Sequence, residues 1–179
     1  MPIYTKKGDK GETGLFSSDR SKKIRTSKAS ERIEAIGSID EANTFLGLAA
    51  SFTSGKRQKS KIEDIQRHLF EVGASLAGAK IKIGKNLVDE MEAEIDEMDQ
   101  TLPKLTNFIL PGGGKSAGFL FMARTFVRRA ERRTVALSKK EKVDPNVIIY
   151  LNRLSDYVYT LARFSNFRQK LKETPWKQK

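Results

Sequence analysis

Cysteine is absent from the 179 residues, and His68 is the only histidine. A chain without thiols forms no disulfide and offers no thiolate as nucleophile or metal ligand, and one histidine cannot build a multi-histidine metal site. No apolar run is long enough to cross a bilayer, and the opening residues lack the apolar stretch of a signal peptide. We therefore expect a cytoplasmic protein without a membrane partner, a thiol-dependent mechanism or a metal site built from protein ligands.

The charge is strongly positive but unevenly distributed. Lys and Arg number 34 against 22 Asp and Glu, which gives a formal net charge of +12. The excess is concentrated in residues 1–28, 124–133 and 163–179. A positive face would favour nucleic acid, whereas separate basic segments can be brought together around a small phosphate-rich ligand. The composition is compatible with both.

Apolar spacing predicts one all-α domain, a bundle of helices with short connections. The predicted helical segments run from about 29 to the early fifties, from 60 to 76, from 88 to 102, from 114 to about 141 and from 145 to 165. We expect Ser60 to open the second helix in a capping box with Glu63. Asp144 is expected to cap the last helix, with Pro145 at its first position.

The predicted organisation has three parts. A basic, glycine-rich arm without helical periodicity covers residues 1–28, the bundle covers 29–170, and a basic tail that we expect to be frayed covers 171–179. Within the arm, Gly8, Gly11 and Gly14 alternate with lysines and threonines, which suits phosphate because glycine lets backbone N–H groups approach an anion. The spacing matches neither a Walker A nor a dinucleotide motif, so a plain flexible arm is the alternative.

The fourth predicted helix has five arginines and no lysine between residues 124 and 133. Arg124, Arg128, Glu131 and Arg132 recur at spacings that place them on one helical face. One interpretation is a solvated face on which Glu131 pairs with neighbouring arginines. The other is a phosphate clamp, because a guanidinium group can bind phosphate through two parallel hydrogen bonds.

Polar residues also follow two other predicted helices. Asp40 lies beside apolar residues of the first helix, so we expect it to be half-buried and paired with Arg124 or Arg128. The last helix has a polar stripe of Asn152, Ser155, Asp156, Tyr159 and Arg163. Cross-links between helices are the alternative explanation for these residues. Phe108, shortly before a glycine run, is either a loop residue or an aromatic side chain offered to a ligand.

Six strings in this order cover nearly the whole chain. They are IYTKKGDKGET (3–13), AIGSIDEAN (35–43), FILPGG (108–113), ART (123–125), RRAER (128–132) and YLNRLSD (150–156). Together they resemble the PduO-type ATP:cob(I)alamin adenosyltransferases, with Lys7 standing where that family usually has threonine. The resemblance implies a homotrimer of five-helix bundles with active sites between subunits. It also implies an enzyme that transfers the 5′-deoxyadenosyl group of ATP to cob(I)alamin and releases triphosphate, with Mg²⁺.

The resemblance further implies roles for individual residues. Thr5, Lys6, Lys7, Gly8, Thr13, Gly14 and Lys23 would belong to an ATP-binding arm, and Arg128, Arg129, Glu131, Arg132 and Asn152 would complete the nucleotide site. Asp40 and Arg124 match a salt bridge between subunits near the corrin, and Phe108 matches the aromatic residue that keeps the lower cobalt face free of a ligand. With Arg128 and Arg132, these three form the set implied in catalysis.

The lack of cysteine and of a histidine base agrees with that chemistry, because cob(I)alamin is itself a strong nucleophile. A cobalamin reductase and an adenosylcobalamin-dependent client enzyme are further partners that the resemblance raises. Two rival interpretations stay open: a catalytically impaired cobalamin carrier of the same fold, and a basic helical protein that binds nucleic acid. The second lacks a recognised binding motif and clustered aromatic residues, so we expect no nucleic-acid partner.

Overall fold

Five helices make up most of the computed structural model, which describes residues 3–17 and 23–177. They are α1 (Glu31–Ser51), α2 (Lys56–Leu76), α3 (Asn86–Asp99), α4 (Lys115–Ser138) and α5 (Pro145–Arg168). The predicted all-α class is confirmed. Residues 1–2 and 18–22 of the predicted arm and residues 178–179 of the predicted tail lie outside the described residues.

The helices alternate in direction along the chain. α1 and α4 are antiparallel, since Arg133 near the end of α4 pairs with Glu34 near the start of α1 at 3.2 Å, and the rings of Phe126 and Phe45 stack with centroids 4.2 Å apart. α5 returns along α4, α2 packs against α1, and α3 packs against α5. The result is an up-down arrangement of the predicted helical bundle.

The core lies between the apolar faces of all five helices. Its fully buried side chains include Leu46 of α1, Ile62 and Leu69 of α2, Leu120 of α4, and Leu151 and Leu154 of α5. Burial of each such side chain contributes about 1.5–3 kcal/mol relative to exposure. Because α4 and α5 bury only part of their circumference, their remaining faces carry the polar residues described below.

The ends of two helices test the predicted caps. Asp144 caps α5 as expected, accepting a hydrogen bond from the backbone N–H of Asn146 at 3.0 Å, with Pro145 in the first turn. The predicted start of α2 at Ser60 is wrong, because the helix begins four residues earlier behind Gly55. Good helix formers occupy residues 56–59, and Gln58 is held by a hydrogen bond of 3.4 Å from its Nε2 to the carbonyl of Leu161.

Two short antiparallel ribbons accompany the bundle. Strands β1 (Glu12–Gly14) and β2 (Arg25–Ser27) form the first, and strands β3 (Ile109–Leu110) and β4 (Thr174–Pro175) form the second. The apolar alternation that identifies strands needs four or more residues, so these two- and three-residue strands leave no trace in it.

The prediction of a frayed C-terminal tail is wrong for residues 173–176. Glu173 pairs with Arg163 of α5, residues 174–175 form β4, and the Trp176 N–H donates to the carbonyl of Phe108 at 2.7 Å. The basic composition of the tail suggested solvation, but pairing through backbone groups does not depend on side-chain type. Among residues 3–17 and 23–177, no helix is both long enough and apolar enough to span a membrane.

Candidate functional site

Arg128 and Arg132 lie together on the exposed side of α4. With Glu131 and Val135 of α4 and Asn152 of α5 they line a shallow cavity of about 340 Å³. The one-turn spacing of the two arginines brings their guanidinium groups to the same surface, as the sequence predicts. The cavity therefore offers two cations side by side at the α4–α5 seam.

The five arginines of residues 124–133 divide by their partners. Arg129 pairs with Glu41 of α1, and Arg133 pairs with Glu34 at 3.2 Å. Arg128 and Arg132, by contrast, form no ion pair with any described residue. Glu131 forms no ion pair with a described arginine either, and its carboxylate accepts a hydrogen bond from the Asn152 side chain at 3.0 Å. The idea that Glu131 pairs with neighbouring arginines is therefore wrong, and Arg128 and Arg132 remain available to an anion.

Arg129 lies apart from the cavity, although the resemblance places it in the nucleotide site. Its guanidinium carbon lies 4.7 Å from the centroid of the Phe126 ring and its Nη2 donates to Glu41. Both contacts belong to the α1–α4 interface. Within one chain, Arg129 thus fastens α4 to α1.

A second, larger cavity of about 1360 Å³ opens between α4, α5 and the segment that carries β3. We call it the groove. Phe108 stands at its rim with 81% of its surface exposed, and Arg124 lines its side. The Arg124 guanidinium carbon lies 5.0 Å from the centroid of the Tyr159 ring, which fixes the arginine by a cation–π contact. The structure therefore places Phe108 and Arg124 at one site.

The glycine loop that carries the rim of the groove is held from α5. The Asn166 side chain donates to the carbonyl of Gly112 at 2.9 Å and accepts from the N–H of Gly114 at 3.0 Å. Gly113 between them has φ +108°, and a Cβ there would lie 2.2 Å from the Asn166 Oδ1. Only glycine meets both demands, so this loop has one conformation that sets the start of α4 and the position of β3.

The prediction that Asp40 is half-buried is wrong. It lies on the exposed side of α1 and forms no ion pair with Arg124, Arg128 or any other described residue. The helix turns its neighbours Ile39, Ala42 and Asn43 into the core instead. The Arg124 Nε is buried and has no hydrogen-bond partner within the described chain. Among the described residues, neither Asp40 nor Arg124 therefore has an ion-pair partner.

The arm folds back on the bundle at the start of α1. The Phe16 N–H donates to the carbonyl of Ala77 at 2.9 Å, and the Lys28 N–H donates to the carbonyl of Gly11 at 2.8 Å. The Arg25 Nη2 donates to the carbonyl of Lys7 at 2.7 Å. Of the residues implied in ATP binding, Thr5, Lys6, Lys7, Gly14 and Lys23 are exposed and Gly8 and Thr13 are half-buried.

Within one chain the arm and the arginine cavity are not joined. No hydrogen bond or ion pair links residues 3–14 to α4 in the described parts of the chain, and the contacts of the arm are to its own hairpin and to the end of α2. The predicted nucleotide residues therefore fall into three groups within one chain: the arm, the arginine cavity, and Arg129 at the α1–α4 interface. Uniting them requires a second subunit or a movement of the arm.

Residues that the sequence analysis did not assign to a site also line the groove. The sequence indicates Asp156 and Tyr159 only as members of the polar stripe of α5, and it assigns Thr125 and Trp176 to no site. Burial raises the pKa of the Tyr159 phenol, more than the nearby charges of Arg163 and Arg124 lower it. Helical spacing could have indicated Thr125, which follows the groove residues Phe121 and Met122 by four and three positions on α4. Nothing local in the sequence indicates that Trp176 reaches this site.

Ligands for a metal ion are sparse. Among the described residues no group of three or more His, Asp or Glu side chains could hold a metal ion. Glu131 is the carboxylate that lines the arginine cavity. Mg²⁺ usually binds through one or two carboxylates together with substrate phosphates, so this cavity fits Mg²⁺ that arrives with a nucleotide but not a metal held by protein alone.

Comparison with known proteins adds a family to this geometry. A family model described as "Cobalamin adenosyltransferase" matches residues 3–165. The corrinoid adenosyltransferase of Bacillus subtilis is 44% identical over 176 residues, covering 94% of this chain and 88% of the relative. The corrinoid adenosyltransferase MMAB of Homo sapiens is 38% identical over 181 residues, covering 93% of this chain and 70% of the relative.

The solved structures agree with the sequence matches. A variant PduO-type ATP:corrinoid adenosyltransferase from Lactobacillus reuteri, complexed with cobalamin and ATP, superposes with a TM-score of 0.92 at 33% identity. The alignment covers 99% of this chain and 100% of that one. A second variant of that enzyme, complexed with ATP, superposes with a TM-score of 0.90 at 34% identity.

Proposed function

The chain belongs to the cobalamin adenosyltransferase family, and on that premise we propose how its residues share the work of an ATP:corrinoid adenosyltransferase. We take cob(I)alamin as the acceptor. The electron pair of its Co(I) forms the bond to C5′ of ATP, the C5′–O bond breaks, and triphosphate leaves with the electron pair of that bond. Cobalt is oxidised formally by two electrons and C5′ is reduced formally by two, so no external oxidant is needed. The protein must align the two substrates and stabilise the charge on the leaving group.

Arg128 and Arg132 are proposed to bind the triphosphate. The observation that carries this assignment is that both lack an acidic partner in the described chain, whereas Arg129 and Arg133 are paired with α1. Negative charge grows on the leaving triphosphate in the transition state, and unpaired guanidinium groups stabilise it without first breaking an ion pair. Asn152 holds the Glu131 carboxylate in a fixed position beside them.

We propose that ATP binds together with Mg²⁺. Glu131 is the residue that would contact it, directly or through water, because no other carboxylate among the described residues lines the arginine cavity. Bound to the nucleotide, Mg²⁺ would neutralise part of the triphosphate charge.

The arm is proposed to act on the arginine cavity of a neighbouring subunit. Its exposed lysines and threonines do not meet Arg128 or Arg132 within the described chain, and one bundle leaves a charged, partly apolar surface on α1 and α4. A closed trimer would bring the arm of each subunit to the next and would allow Asp40 of one subunit to meet Arg124 of another. Homotrimers with sites between subunits are thus the assembly that we propose.

The groove is proposed to hold the corrinoid. Its volume of about 1360 Å³ suits a macrocycle, and its walls combine Phe108, Phe121 and Met122 with polar groups of Arg124 and Asp156. The exposed Phe108 ring offers an apolar surface that can displace water or a nitrogen ligand from one cobalt face. Removal of that ligand keeps the electron pair on Co(I) available for C5′.

The activity is tested by an anaerobic assay with chemically reduced cobalamin, ATP and Mg²⁺. Loss of cob(I)alamin absorbance with formation of a light-sensitive cobalt–carbon product and one triphosphate per product is the expected result. Binding of both substrates without product would contradict the enzyme and indicate a carrier. The same preparation can be offered long nucleic acid at two salt concentrations, where we expect no specific retention. A cytoplasmic location, and contact with a reductase or a client enzyme, remain predictions.

Subunit mixing tests the assembly. An arm variant, Thr5→Ala/Lys6→Ala, and a cavity variant, Arg128→Ala, are each expected to be weakly active alone. Random hybrid trimers contain interfaces that pair an intact arm with an intact cavity, so up to about a quarter of the sites regain activity. No regain in hybrids of confirmed composition would contradict a site between subunits.

A further inference from the structure

Arg163 on α5 is the one charged residue with a buried side chain among residues 3–17 and 23–177, with 4% of its surface exposed. Its Nε donates to Glu173 at 3.0 Å, and its Nη2 donates to the carbonyl of Pro103 at 2.8 Å and to Glu173 at 3.2 Å. Glu173 is also mostly covered, at 18% exposure. A single guanidinium group thus joins α5, the segment after α3 and the C-terminal segment.

Such a pair is a poor way to gain stability. Removal of two charges from water is costly, and apolar replacements of buried ion pairs are often neutral or stabilising. What a buried pair supplies is position, because neither charge tolerates separation from the other. The explanation for this pair should therefore lie in what it positions.

The segment that follows Glu173 needs an external anchor. The ribbon of β3 and β4 has two residue pairs, Ile109 with Pro175 and Leu110 with Thr174. Proline has no N–H to donate to the paired strand. A ribbon this short therefore specifies its own register only weakly. Glu173, immediately before β4, is fixed by Arg163, and that contact selects which residues face β3.

The ribbon in turn carries both aromatic side chains at this side of the groove. The backbone N–H of Trp176 donates to the backbone carbonyl of Phe108 at 2.7 Å, one residue beyond the paired residues of each strand. Trp176 and Phe108 both line the groove, whereas Arg163 and Glu173 line an adjoining cavity of about 820 Å³. The two cavities share the segment of residues 105–107 and Ile109 of β3. Arg163 is therefore connected to the groove through the ribbon and lies outside it.

We propose that the Arg163–Glu173 ion pair is a positioning device for the corrinoid site: it sets the register of the C-terminal segment on β3 and thereby the placement of Phe108 and Trp176. This inference rests on the proposed function of the groove. Arg163 and Asn166, three residues apart on one face of α5, divide the task, since Asn166 holds the glycine loop after β3 and Arg163 holds the strand that pairs with it. Arg163 is a positioning residue and touches no substrate.

Trp176 makes the proposal testable without turnover, because it is the only tryptophan in the chain. The variants are Glu173→Gln, which keeps the shape and removes the charge, and Arg163→Met, which keeps most of the volume. Lys172→Gln, at the exposed neighbouring residue, is the matched control. Acrylamide quenching of Trp176 fluorescence is measured for each, together with helical circular dichroism and the KM values for cob(I)alamin and ATP.

We expect both variants to remain helical, to raise the quenching constant about twofold and to raise the KM for cob(I)alamin roughly fivefold or more, with the KM for ATP within about twofold of wild type. The double variant should be no worse than Arg163→Met alone, since Arg163→Met already removes the ion pair with Glu173 together with the bond to the Pro103 carbonyl. If Arg163→Met fails to fold, Glu173→Gln alone decides the matter.

Two results would overturn the proposal. Unchanged quenching in Glu173→Gln would show that the pair does not hold the segment. Raised quenching with an unchanged KM for cob(I)alamin would show that the segment does not position the corrinoid site. Failure of the proposed function looks different, because wild type itself would then form no product while the quenching comparison could still be read.

Discussion

Asn152 of α5 donates a hydrogen bond from its side-chain amide to the carboxylate of Glu131 on α4, at 3.0 Å. This bond ties the two helices together and holds the carboxylate of the cavity, while Arg128 and Arg132 beside it stay unpaired in the described chain. On the other side of α4, Arg129 and Arg133 meet the acids of α1. One helix therefore presents paired arginines on one side and, among the described residues, unpaired arginines on the other.

Phe108→Ala should separate activity from stability. The side chain is 81% exposed, so we expect the free energy of unfolding to change by less than about 0.5 kcal/mol. In its proposed role Phe108 keeps a ligand from one cobalt face, so we expect kcat to fall by roughly tenfold or more when the ring is removed. Chemical denaturation and the anaerobic assay measure the two effects. Phe70→Ala, at a 69% exposed aromatic residue of α2 outside the groove, is the control. Equal activities in the two variants would refute the role of Phe108.

Asp40 and Arg124 should be energetically coupled once the trimer has formed. Asp40→Asn and Arg124→Gln each remove one member of the proposed pair between subunits. In a double-mutant cycle on kcat/KM for cob(I)alamin we expect a coupling energy of about 1 kcal/mol or more. The same cycle with Asp40→Asn and Arg133→Ala should be additive, because Arg133 has its partner in Glu34. Additivity in both cycles would count against the pair.

Gly113→Ala should destabilise the loop before α4. The residue has φ +108°, and the new methyl group would lie 2.2 Å from the Asn166 Oδ1, which anchors the loop. We expect the free energy of unfolding to fall by about 1–3 kcal/mol. Gly73→Ala in α2 meets no atom within 4 Å, and it should be neutral or stabilising by up to about 1 kcal/mol. Similar effects of the two substitutions in denaturant titrations would contradict this account of the loop.

High pH should unfold the protein through two buried tyrosines. Burial raises the pKa of Tyr150 and of Tyr157 above their ordinary value of 10.0, and for Tyr157 the hydrogen bond to Glu94 raises it further. Below pH 10 both states keep these protons, so the contribution to stability is complete. Above pH 10 the unfolded chain ionises while the folded protein does not, and the free energy of unfolding falls by up to about 1.4 kcal/mol per pH unit for each tyrosine. Tyr157→Phe should make this decline shallower in urea titrations between pH 9 and pH 11. An unchanged slope would exclude Tyr157 as a cause.

The sequence predicts the bundle well because the apolar period of a helix is a signal that neighbouring residues carry by themselves. The apolar period located all five helices, and Asp144 with Pro145 predicted the start of α5. The start of α2 was wrong because Ser60 and Glu63 match a capping pattern that tertiary contacts of the preceding turn override. Apolar spacing indicates which face of a helix is buried, but it does not indicate at which residue the helix begins or ends.

The site was predictable in its parts and not in its assembly. A helical face identified Arg128 and Arg132, and the resemblance identified Phe108 and Arg124. Helical spacing could not show that Arg129 pairs with Glu41 or that Asp40 is exposed, because both outcomes depend on which helix packs alongside. The contacts of Glu173 and Trp176 join residues far apart in the sequence through backbone groups, for which no side-chain pattern exists.

The most direct test of the account compares three arginines of one helix in the anaerobic assay. Arg128→Ala and Arg132→Ala should each lower kcat/KM for ATP by roughly a hundredfold, because each removes a charge-assisted contact to the triphosphate. Arg133→Ala, which breaks an exposed pair with Glu34, should stay within about threefold of wild type. If all three variants lose activity equally, or if Arg128→Ala and Arg132→Ala retain the wild-type value, the pairing pattern on α4 does not mark the nucleotide site.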